Sequence, residues 1–354
     1  MQLTIEKAKT LKAKPTDESK LGFGNIFTDH MLTVVYSPEE GWHDAKIEPY
    51  HAFQMDPAGM VLHYGQTIFE GLKAYRCKDG KIRLFRPEQN FMRMNRSAER
   101  LCIPQIDVDF MVDALKKLVE LEQDWVPSTP GTSLYIRPTI IASDPHLGVR
   151  ASNHYIFFII LSPVGAYYAT GLDPVPIYVE DNYVRAVRGG TGAAKTAANY
   201  AASLLAGEEA KKLGYSQVLW LDGVEKKYVE EVGSMNIFFR FNDEVTTPAL
   251  VGSILPGITR MSVLQLAQDM GYKTTERRIS IQEVFDRYDK GELLEVFGTG
   301  TAAVISPVGE LKWKDRIIKI GDGTTGELSQ KLYDTLTGIQ YGELPDNHGW
   351  ITIL

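Results

Sequence analysis

The segment Gly189-Gly190-Thr191-Gly192-Ala193-Ala194-Lys195-Thr196 places a single lysine among very small residues. Small neighbours allow a flat, rigid group to approach the lysine closely, which favours a lysine that forms a Schiff base. Such a lysine must also lose its proton, and a desolvated site or nearby cations such as Arg185 and Arg188 promote that loss. We therefore begin from the hypothesis that Lys195 reacts covalently with a cofactor.

Two other interpretations of this segment stay open. It partly matches the phosphate loop G-x-x-x-x-G-K-[ST] of nucleotide hydrolases, and residues 218–222 (VLWLD) imitate the strand that ends in a magnesium-binding aspartate. The match is weak because Ala194 stands where the loop requires glycine. For a lysine taken alone, an exposed position at the start of an alanine-rich helix is the most common outcome.

The composition is that of a globular protein and argues against several classes of function. The 354 residues suggest two domains at about 150 residues each. With 44% hydrophobic and 23% charged residues, the chain is not expected to be disordered. Lys and Arg number 38 against 45 Asp and Glu, and this net charge of -7 disfavours general binding to nucleic acid or to an anionic membrane.

Metal sites, disulfides and membrane spans also have little support in the sequence. Two cysteines, Cys77 and Cys102, do not make a disulfide framework, and no two histidines have the HxxxH spacing of a metal site. The apolar run 155–161 is shorter than the ~20 residues of a spanning helix. Residues 1–22 are polar, lack the apolar core of a secretory signal and predict a loose leader. We expect a cytoplasmic protein without a metal.

Strands and helices follow each other without regular βαβ alternation, which predicts two α+β domains. The Gly- and Pro-rich stretch 162–174 predicts the linker, so the expected organisation is a smaller domain 1–164, an interdomain loop 165–174 and a larger domain 175–354 that carries Lys195. The predicted strands are 134–141, 155–161, 217–221, 228–241 and 293–297. The predicted helices are 87–101, 110–121, 198–213 and 256–270.

Pyridoxal phosphate would need, besides the lysine, an acid for its ring nitrogen and a donor for its phenolic oxygen. Glu231 stands at the head of an apolar strand and could serve the nitrogen, whereas the adjacent Glu230 is expected to be a solvent-exposed charge. Tyr200 lies five residues after Lys195 and could meet the phenolic oxygen, although core packing is the more common role of tyrosine.

Three features could anchor the phosphate of such a cofactor. The segment 255–260 (LPGITR) opens a helix, whose free N–H groups and dipole favour an anion. The turn 298–303 (GTGTAA) supplies hydroxyls and amides. Arg93, Arg96 and Arg100 form a basic stripe on one predicted helix. Such a stripe is usually solvated, but one member could hold a phosphate.

These residues belong to ordered blocks that resemble the branched-chain amino acid aminotransferases. That family consists of pyridoxal-phosphate enzymes of class IV, with the two-domain α+β fold called fold type IV or D-amino acid aminotransferase-like. The resemblance extends from about Phe23 to the last strands. Its markers are 27–32 (FTDHML), 69–74 (FEGLKA), 83–87 (RLFRP), 135–138 (YIRP), the lysine segment, 231–236 (EVGSMN), 255–257 (LPG) and 297–302 (FGTGTA).

The resemblance implies a role for each of a set of residues. Lys195 would be the catalytic residue, forming the Schiff base with pyridoxal 5'-phosphate and moving a proton between substrate and cofactor. The other cofactor contacts would come from Arg93, Tyr200, Glu231, Ser234, Ile258, Thr259 and Thr301. The substrate contacts would come from Phe23, Tyr64, Phe69, Tyr135, Arg137, Val149, Tyr167 and Ala302. Val149 would reach in from the second subunit of a homodimer.

The implied reaction is reversible transamination of L-leucine, L-isoleucine or L-valine with 2-oxoglutarate, which gives the branched 2-oxo acid and L-glutamate. Arg137 and Tyr135 would also receive the distal carboxylate of glutamate. A D-amino acid aminotransferase or an aminodeoxychorismate lyase keeps the fold and changes the substrate, and a pyridoxal-phosphate protein without catalysis is a further alternative. Mammalian members carry a redox C-x-x-C where this chain has Ala303 and Ser306, so thiol regulation is not expected.

Overall fold

The computed structural model describes residues 1–165 and 171–354, which divide into two compact units. Of the described residues, the first unit contains 1–165, 194–197 and 338–354, and the second contains 171–193 and 198–337. Lys195 belongs to the first unit, although the chain on both sides of its short segment belongs to the second. The domain boundaries expected from the sequence stay a prediction. Tyr167 lies outside the described residues.

The elements of both units have the following bounds. The strands are β1 (Leu3–Ile5), β2 (His30–Ser37), β3 (Gly41–Pro49), β4 (Thr67–Phe69), β5 (Leu72–Arg76), β6 (Ile82–Phe85), β7 (Ser133–Ala142), β8 (Tyr155–Val164), β9 (Val175–Glu180), β10 (Gln217–Leu221), β11 (Val229–Val232), β12 (Met235–Phe241), β13 (Val245–Pro248), β14 (Thr274–Arg277), β15 (Leu293–Gly300), β16 (Val304–Trp313), β17 (Arg316–Lys319) and β18 (Ile351–Ile353). The helices are α1 (Met60–Tyr64), α2 (Pro87–Arg100), α3 (Val108–Leu121), α4 (Ala197–Ala201), α5 (Leu204–Lys212), α6 (Ile258–Asp269), α7 (Ile281–Asp289) and α8 (Glu327–Gln340).

The described part of the first unit contains a nine-stranded sheet in the order β1-β3-β2-β8-β7-β5-β6-β18, with β4 paired to β7. Its centre is the long antiparallel pair of β7 and β8, which stay in register from Ser133–Val164 to Ala142–Tyr155. Every second residue of β7 is buried, and these residues share one core with the apolar sides of α2 and α3. Tyr135 and Arg137 project from the opposite face, because neighbours in a strand alternate between faces.

The second unit contains, among its described residues, another nine-stranded sheet. Its order is β11-β10-β9-β16-β15-β12-β13-β14, and β17 pairs with β16. Apolar residues such as Ile237, Phe239 and Leu311 form its core together with Phe285 of α7. The mixture of helices and strands in both units confirms the predicted α+β class.

The predicted strand 228–241 is wrong in one respect, because it breaks into two strands. The chain turns at Gly233-Ser234, so that β11 and β12 pair antiparallel with Glu231 opposite Asn236. Gly233 has a φ of 54°, a left-handed conformation that two-residue hairpin turns assign to glycine. The turn therefore brings Asn236 beside the predicted cofactor carboxylate.

The predicted helix 198–213 is likewise two helices, α4 and α5. The hydroxyl of Ser203 donates to the carbonyl of Tyr200 at 2.7 Å, a local side-chain bond that competes with continuous helix. The leader is also not loose. Residues 3–5 form β1, which pairs in parallel with β3, and Leu21 is buried. Over the described residues, the structure has no helix that is both long and apolar enough to cross a bilayer.

Candidate active site

Lys195 lies just before α4, on a short segment that main-chain hydrogen bonds hold in place. Its N–H donates to the hydroxyl of Ser97 on α2 at 2.9 Å, and its carbonyl accepts from the Phe69 N–H at 3.0 Å. The hydroxyl of the next residue, Thr196, donates to the Thr67 carbonyl at 2.7 Å. These bonds fix the backbone of Lys195 against β4 and α2, while its side chain stays half-buried.

Four of the predicted substrate residues gather with the Lys195 side chain in the first unit. The Nζ of Lys195 lies 4.9 Å from the centroid of the Phe69 ring, and the guanidinium carbon of Arg137 lies 4.6 Å from the same centroid. Arg137 donates through Nη2 to the Tyr135 hydroxyl at 3.1 Å. The Tyr135 ring meets the Phe23 ring edge-on at 4.9 Å between centroids. An amine, a guanidinium and a phenol thus lie beside two apolar rings.

Gly71 leaves the space that the Tyr135 hydroxyl occupies. The sequence alone did not identify Gly71 as a residue of the site. A Cβ built on Gly71 would lie 2.1 Å from the Tyr135 hydroxyl oxygen, so only glycine permits this approach. The glycine follows Phe69 and Glu70 in the marker FEGLKA. Its spacing from the aromatic residue was visible in the sequence, but its partner on β7 was not.

The three arginines predicted as one basic stripe do not share a surface. Arg93 is buried, whereas Arg96 and Arg100 are exposed. Through Nε and Nη2, Arg93 donates to the Glu70 carboxylate at 2.8 Å in each case. Arg93 is therefore the member of the stripe that the interior of the first unit holds in a defined position.

Glu70 is a fully buried carboxylate to which the sequence assigned no role. Asn90 also donates to it at 2.8 Å, so α2 supplies both of its side-chain partners described here. Burial disfavours its ionisation, but the charges of Arg93 and Lys195 hold the pKa of the Glu70 carboxyl below its ordinary value. A charged residue inside an apolar segment, followed by a helix that carries arginine, is the signal that could have pointed to this pair.

Two further predicted substrate residues, Tyr64 and Val149, are exposed. Tyr64, at the end of α1, is 41% exposed, and its hydroxyl donates to the Leu147 carbonyl. Val149 is 83% exposed on the same loop as Leu147. An exposed valine of this kind has the accessibility that contact with a second subunit requires.

In the second unit, Glu231 is buried and fully engaged by neighbours. One carboxylate oxygen pairs with Nη2 of Arg185, and the other accepts from Nδ2 of Asn236 at 3.1 Å and from the Leu255 N–H at 3.3 Å. The sequence suggests Arg185 as a cation that promotes loss of the Lys195 proton. In the structure it is the counter-ion of Glu231. Charge pairing and two hydrogen bonds together hold this carboxylate in one orientation.

Glu230 contradicts the expectation of a solvent-exposed charge. It is buried, and the hydroxyl of Ser253 donates to one of its carboxylate oxygens. Burial raises the pKa of the Glu230 carboxyl above its ordinary value. The prediction failed because β11 is covered on both faces, so both of its adjacent glutamates are enclosed.

The start of α6 adjoins the Glu231 carboxylate through Leu255 and Asn236. Asn236 donates to the Leu255 carbonyl at 2.9 Å, and a Cβ on Gly257 would come within 2.0 Å of the Asn236 amide oxygen. Gly257 therefore permits this close approach just before the helix begins. Ile258 and Thr259 are the first two residues of α6, where N–H groups point out of the helix towards a potential anion.

The turn between β15 and β16 carries Thr301 and Ala302, both partly exposed. Val304 closes this turn with a φ of 64°, a conformation that β-branched residues rarely adopt. The hydroxyl of the adjacent Thr299 is buried and has no hydrogen-bond partner among the described residues. The turn thus combines a left-handed residue with polar groups, and its role in binding an anion stays a prediction.

The remaining predicted cofactor residues are Ser234 and Tyr200. Ser234 is exposed in the turn between β11 and β12, and Tyr200 is partly exposed on α4. Within the ranges 1–165 and 171–354, no group of three or more His, Cys, Asp or Glu could hold a metal ion.

Comparison with known proteins decides which chemistry this arrangement belongs to. The family model described as "Amino-transferase class IV" matches residues 67–311. The chain belongs to the class IV aminotransferases. Among curated relatives, a "Probable branched-chain-amino-acid aminotransferase" of Staphylococcus epidermidis is 60% identical over 99% of this chain and 97% of its own length. "Branched-chain-amino-acid aminotransferase 2" of Bacillus subtilis is 57% identical over 99% of this chain and 96% of its length.

A solved structure shares the fold of this aminotransferase. The branched-chain amino acid aminotransferase of Escherichia coli matches 91% of this chain and 98% of its own, with a TM-score of 0.77 and 27% identity. The predicted fold type IV and the predicted family are both confirmed.

In this aminotransferase, Gly192 of the lysine segment has a packing role that differs from that of the glycines in a phosphate loop. A Cβ on Gly192 would lie 2.1 Å from the Ser253 carbonyl oxygen, and Arg185 donates to both the Gly192 and Ser253 carbonyls. The glycine therefore serves close packing of two backbones in the second unit. The family assignment and this packing together remove the nucleotide-hydrolase interpretation.

Proposed function

We propose that this chain is a branched-chain amino acid aminotransferase that uses pyridoxal 5'-phosphate. It transfers the amino group of L-leucine, L-isoleucine or L-valine to 2-oxoglutarate, and it runs in both directions. The observation that carries the proposal is the cluster of Lys195 with Phe69, Tyr135 and Arg137, because the amine and the guanidinium both lie against the Phe69 ring and the guanidinium also binds a phenol. The names of its relatives support the same substrates.

The chemistry of the available donors fits this cofactor. Pyridoxal phosphate presents an aldehyde, a ring nitrogen, a phenolic oxygen and a phosphate. The chain supplies an amine, a buried carboxylate, a phenol and a helix N-terminus for these four groups. The proposed cofactor residues are Lys195, Glu231, Tyr200, Ile258 and Thr259, together with Arg93, Ser234 and Thr301. When bound, the cofactor supplies an electron sink that stabilises negative charge at the substrate Cα.

Lys195 would act as base and acid through its Nζ. Once the amine is free, it would take the proton from the substrate Cα and then deliver a proton to the cofactor carbon on the other side of the transferred nitrogen. The main-chain hydrogen bonds of Lys195 to Ser97 and Phe69 fix the position of its Cα, from which the side chain extends. The nearby Glu70 carboxylate, which Arg93 neutralises, adds a fixed charge pair beside this amine.

Glu231 would hold a proton on the ring nitrogen. Arg185 and the Asn236 amide orient its carboxylate, so that its oxygens are placed to accept an N–H. A carboxylate at the ring nitrogen favours the protonated ring, which strengthens the electron sink.

The substrate side chain would meet Phe23, Phe69 and Tyr135, and burying its methyl groups contributes about 25 cal/mol per Å². The distal carboxylate of glutamate would instead pair with Arg137 and the Tyr135 hydroxyl, since a buried carboxylate needs charge-assisted partners. One cluster thus serves both substrates. We also propose substrate contacts from Tyr64, Ala302, Tyr167 and Val149 of a second copy of this chain.

A homodimer in the cytoplasm is part of the same proposal. The exposure of Tyr64 and Val149 supports contact with a second copy, whose valine would complete the substrate contacts. Cys77 and Cys102 are both free, as thiols are in a reducing compartment. Sedimentation of the purified protein tests the dimer, and a monomer at working concentration would contradict it.

An absorbance spectrum of the purified protein before and after L-leucine tests cofactor, covalent link and substrate together. We expect a visible band that L-leucine converts to the shorter-wavelength band of the aminated cofactor. Rates with L-leucine and D-alanine then separate this enzyme from a D-amino acid aminotransferase of the same fold. A preference for D-alanine, or a visible band that no amino donor changes, would overturn the proposal.

A further inference from the structure

A buried histidine–carboxylate pair lies at the start of β2, outside the residues assigned a role so far. The Nδ1–H of His30 donates to one oxygen of Glu122, and the other oxygen accepts from the Asp29 N–H at 3.0 Å. The Asp29 carboxylate accepts in turn from the indole N–H of Trp125 at 2.7 Å. His30, Asp29 and Glu122 are all buried, so these mutual bonds keep the group rigid.

Residues 6–22, which we call the N-terminal strap, bind to this group through main-chain donors. The Ala8 N–H donates to Nε2 of His30 at 2.8 Å. The ring therefore donates through Nδ1 to Glu122 and accepts through Nε2 from Ala8. The Lys12 N–H donates to the Asp29 carboxylate at 2.7 Å, and the Lys12 ammonium donates to the Thr28 carbonyl at 2.7 Å.

The second half of the strap continues along the first unit. Glu18 accepts from the Ser128 and Thr129 N–H groups, at 3.0 and 2.7 Å for one of its oxygens. Leu21 is buried, and the Gly22 carbonyl accepts from the Gly165 N–H at 2.9 Å. The strap is therefore attached at both ends.

Phe23 follows the strap directly. Gly22 has a φ of 62°, so the chain turns there in a conformation that glycine adopts without strain. The Phe23 ring then lies 4.9 Å from the Tyr135 ring, in the cluster that contains Lys195. The position of Phe23 is thus set by the path of the strap before it.

We propose that His30, oriented by Glu122, is a positioning residue for the substrate side chain, because it fastens the strap that places Phe23 against Tyr135. This inference rests on the proposed function, in which a branched apolar side chain touches Phe23. The distal carboxylate of glutamate depends instead on Arg137 and Tyr135, whose mutual hydrogen bond lies within β7. Loosening the strap should therefore weaken the use of leucine more than that of glutamate.

Two variants of the holoenzyme test this inference. Ala8→Pro removes the N–H that His30 accepts and leaves the buried group unchanged, whereas the control Ala8→Gly keeps that N–H. His30→Phe removes the acceptor itself. If His30→Phe folds poorly because His30 is buried, Ala8→Pro still tests the inference. The measurements are hydrogen exchange of the Thr129 and Gly165 amides, which bind the strap, and KM and kcat with L-leucine and L-glutamate.

For Ala8→Pro, relative to Ala8→Gly, we expect faster exchange at both amides and a KM for L-leucine raised by about 3- to 10-fold, the equivalent of one hydrogen bond. The KM for L-glutamate should change by less than about twofold on the same scale. Unchanged exchange would show that His30 does not fasten the strap. If exchange is faster but KM changes equally for L-leucine and L-glutamate, the strap does not affect substrate preference through Phe23.

A wild-type enzyme that is inactive with both amino acids would contradict the proposed function instead. The exchange of Thr129 and Gly165 would then still decide whether His30 fastens the strap, because that measurement does not depend on turnover. The two failures are therefore distinguishable.

Discussion

The hydroxyl of Tyr135 lies against the backbone of Gly71, so closely that a Cβ on residue 71 would come within 2.1 Å of its oxygen. The same hydroxyl accepts from Arg137 at 3.1 Å. The absence of one side chain therefore sets the position of the phenol that the proposed reaction uses for both kinds of substrate.

Replacing this glycine should impair the use of glutamate. Gly71→Ala forces the Tyr135 ring away and breaks its bond with Arg137, so we expect the KM for L-glutamate to rise by on the order of 10-fold. Overpacking should also lower the free energy of unfolding by about 1–3 kcal/mol. Steady-state kinetics with L-glutamate and L-leucine measure the first effect, and urea unfolding measures the second.

Gly207→Ala is the matched control for this substitution. No heavy atom lies within 4 Å of the position that its Cβ would occupy on α5. It should leave the kinetics unchanged and stabilise the protein by up to about 1 kcal/mol, because alanine favours helix more than glycine does. A Gly71→Ala enzyme that behaves like this control would remove Gly71 from its role.

Removal of Lys195 should abolish the covalent link to the cofactor. Lys195→Ala is expected to lose the borohydride-reducible bond to pyridoxal phosphate and at least about 10³-fold in kcat. Mass spectrometry after reduction locates the link. Lys73→Met removes another buried lysine of the same unit and should keep the adduct at Lys195. An adduct that survives in Lys195→Ala would show that a different lysine serves.

The two adjacent glutamates of β11 should differ sharply in their effect on catalysis. Glu231→Gln removes the carboxylate that Arg185 and Asn236 orient, so we expect cofactor retention with a kcat lower by on the order of 10²-fold. Glu230→Gln is the isosteric control and should change kcat by only a few-fold on that scale. Rates with saturating L-leucine measure both, and equal losses would argue against a special role for Glu231.

Arg93 should support both stability and cofactor retention. Arg93→Ala leaves the buried Glu70 without its main counter-ion, which should cost about 3–5 kcal/mol of unfolding free energy. It should also speed the loss of cofactor during dialysis. The double variant Arg93→Met/Glu70→Gln removes both charges and should recover most of the stability without recovering retention. Normal retention in both variants would assign the phosphate to another group.

The buried ammonium of Lys73 should make stability depend on alkaline pH. Burial lowers the pKa of Lys73 from 10.5 to about 8 in the folded protein. Between these values the unfolded chain binds more protons, so this group makes the free energy of unfolding rise with pH from about 8 to about 10.5. Below pH 8 its unfavourable contribution is constant.

Lys73→Met should remove this component. Urea unfolding at several pH values from 7 to 11 measures the difference between the variant and the wild type, in which the other titrating groups cancel. We expect the variant's advantage to be greatest below pH 8 and to shrink towards pH 10.5. A difference that stays constant over this range would show that Lys73 does not titrate abnormally.

Local patterns predicted much of the fold because they report short-range physics. The alternation of β7 and the helical spacing of α2 depend on neighbours within a few residues, and both elements have nearly their predicted bounds. The breaks at Gly233 and Ser203 were missed, since a turn inside an apolar run depends on pairing with distant strands as much as on the local residue. The enclosure of Glu230 was missed for a related reason, because both faces of β11 are covered by residues far away in the chain.

The order of residues already specifies the chemical groups: one lysine among small residues, a carboxylate before a glycine turn, helix starts suited to an anion, and the order of blocks that marks the family. Which of these groups contact each other depends on how the chain folds. Arg93 pairs with Glu70, and Arg185 pairs with Glu231. Tyr135 contacts Gly71, and the N-terminal strap binds His30. Periodicity specifies the face on which a side chain lies, but its partner there depends on how separate segments pack.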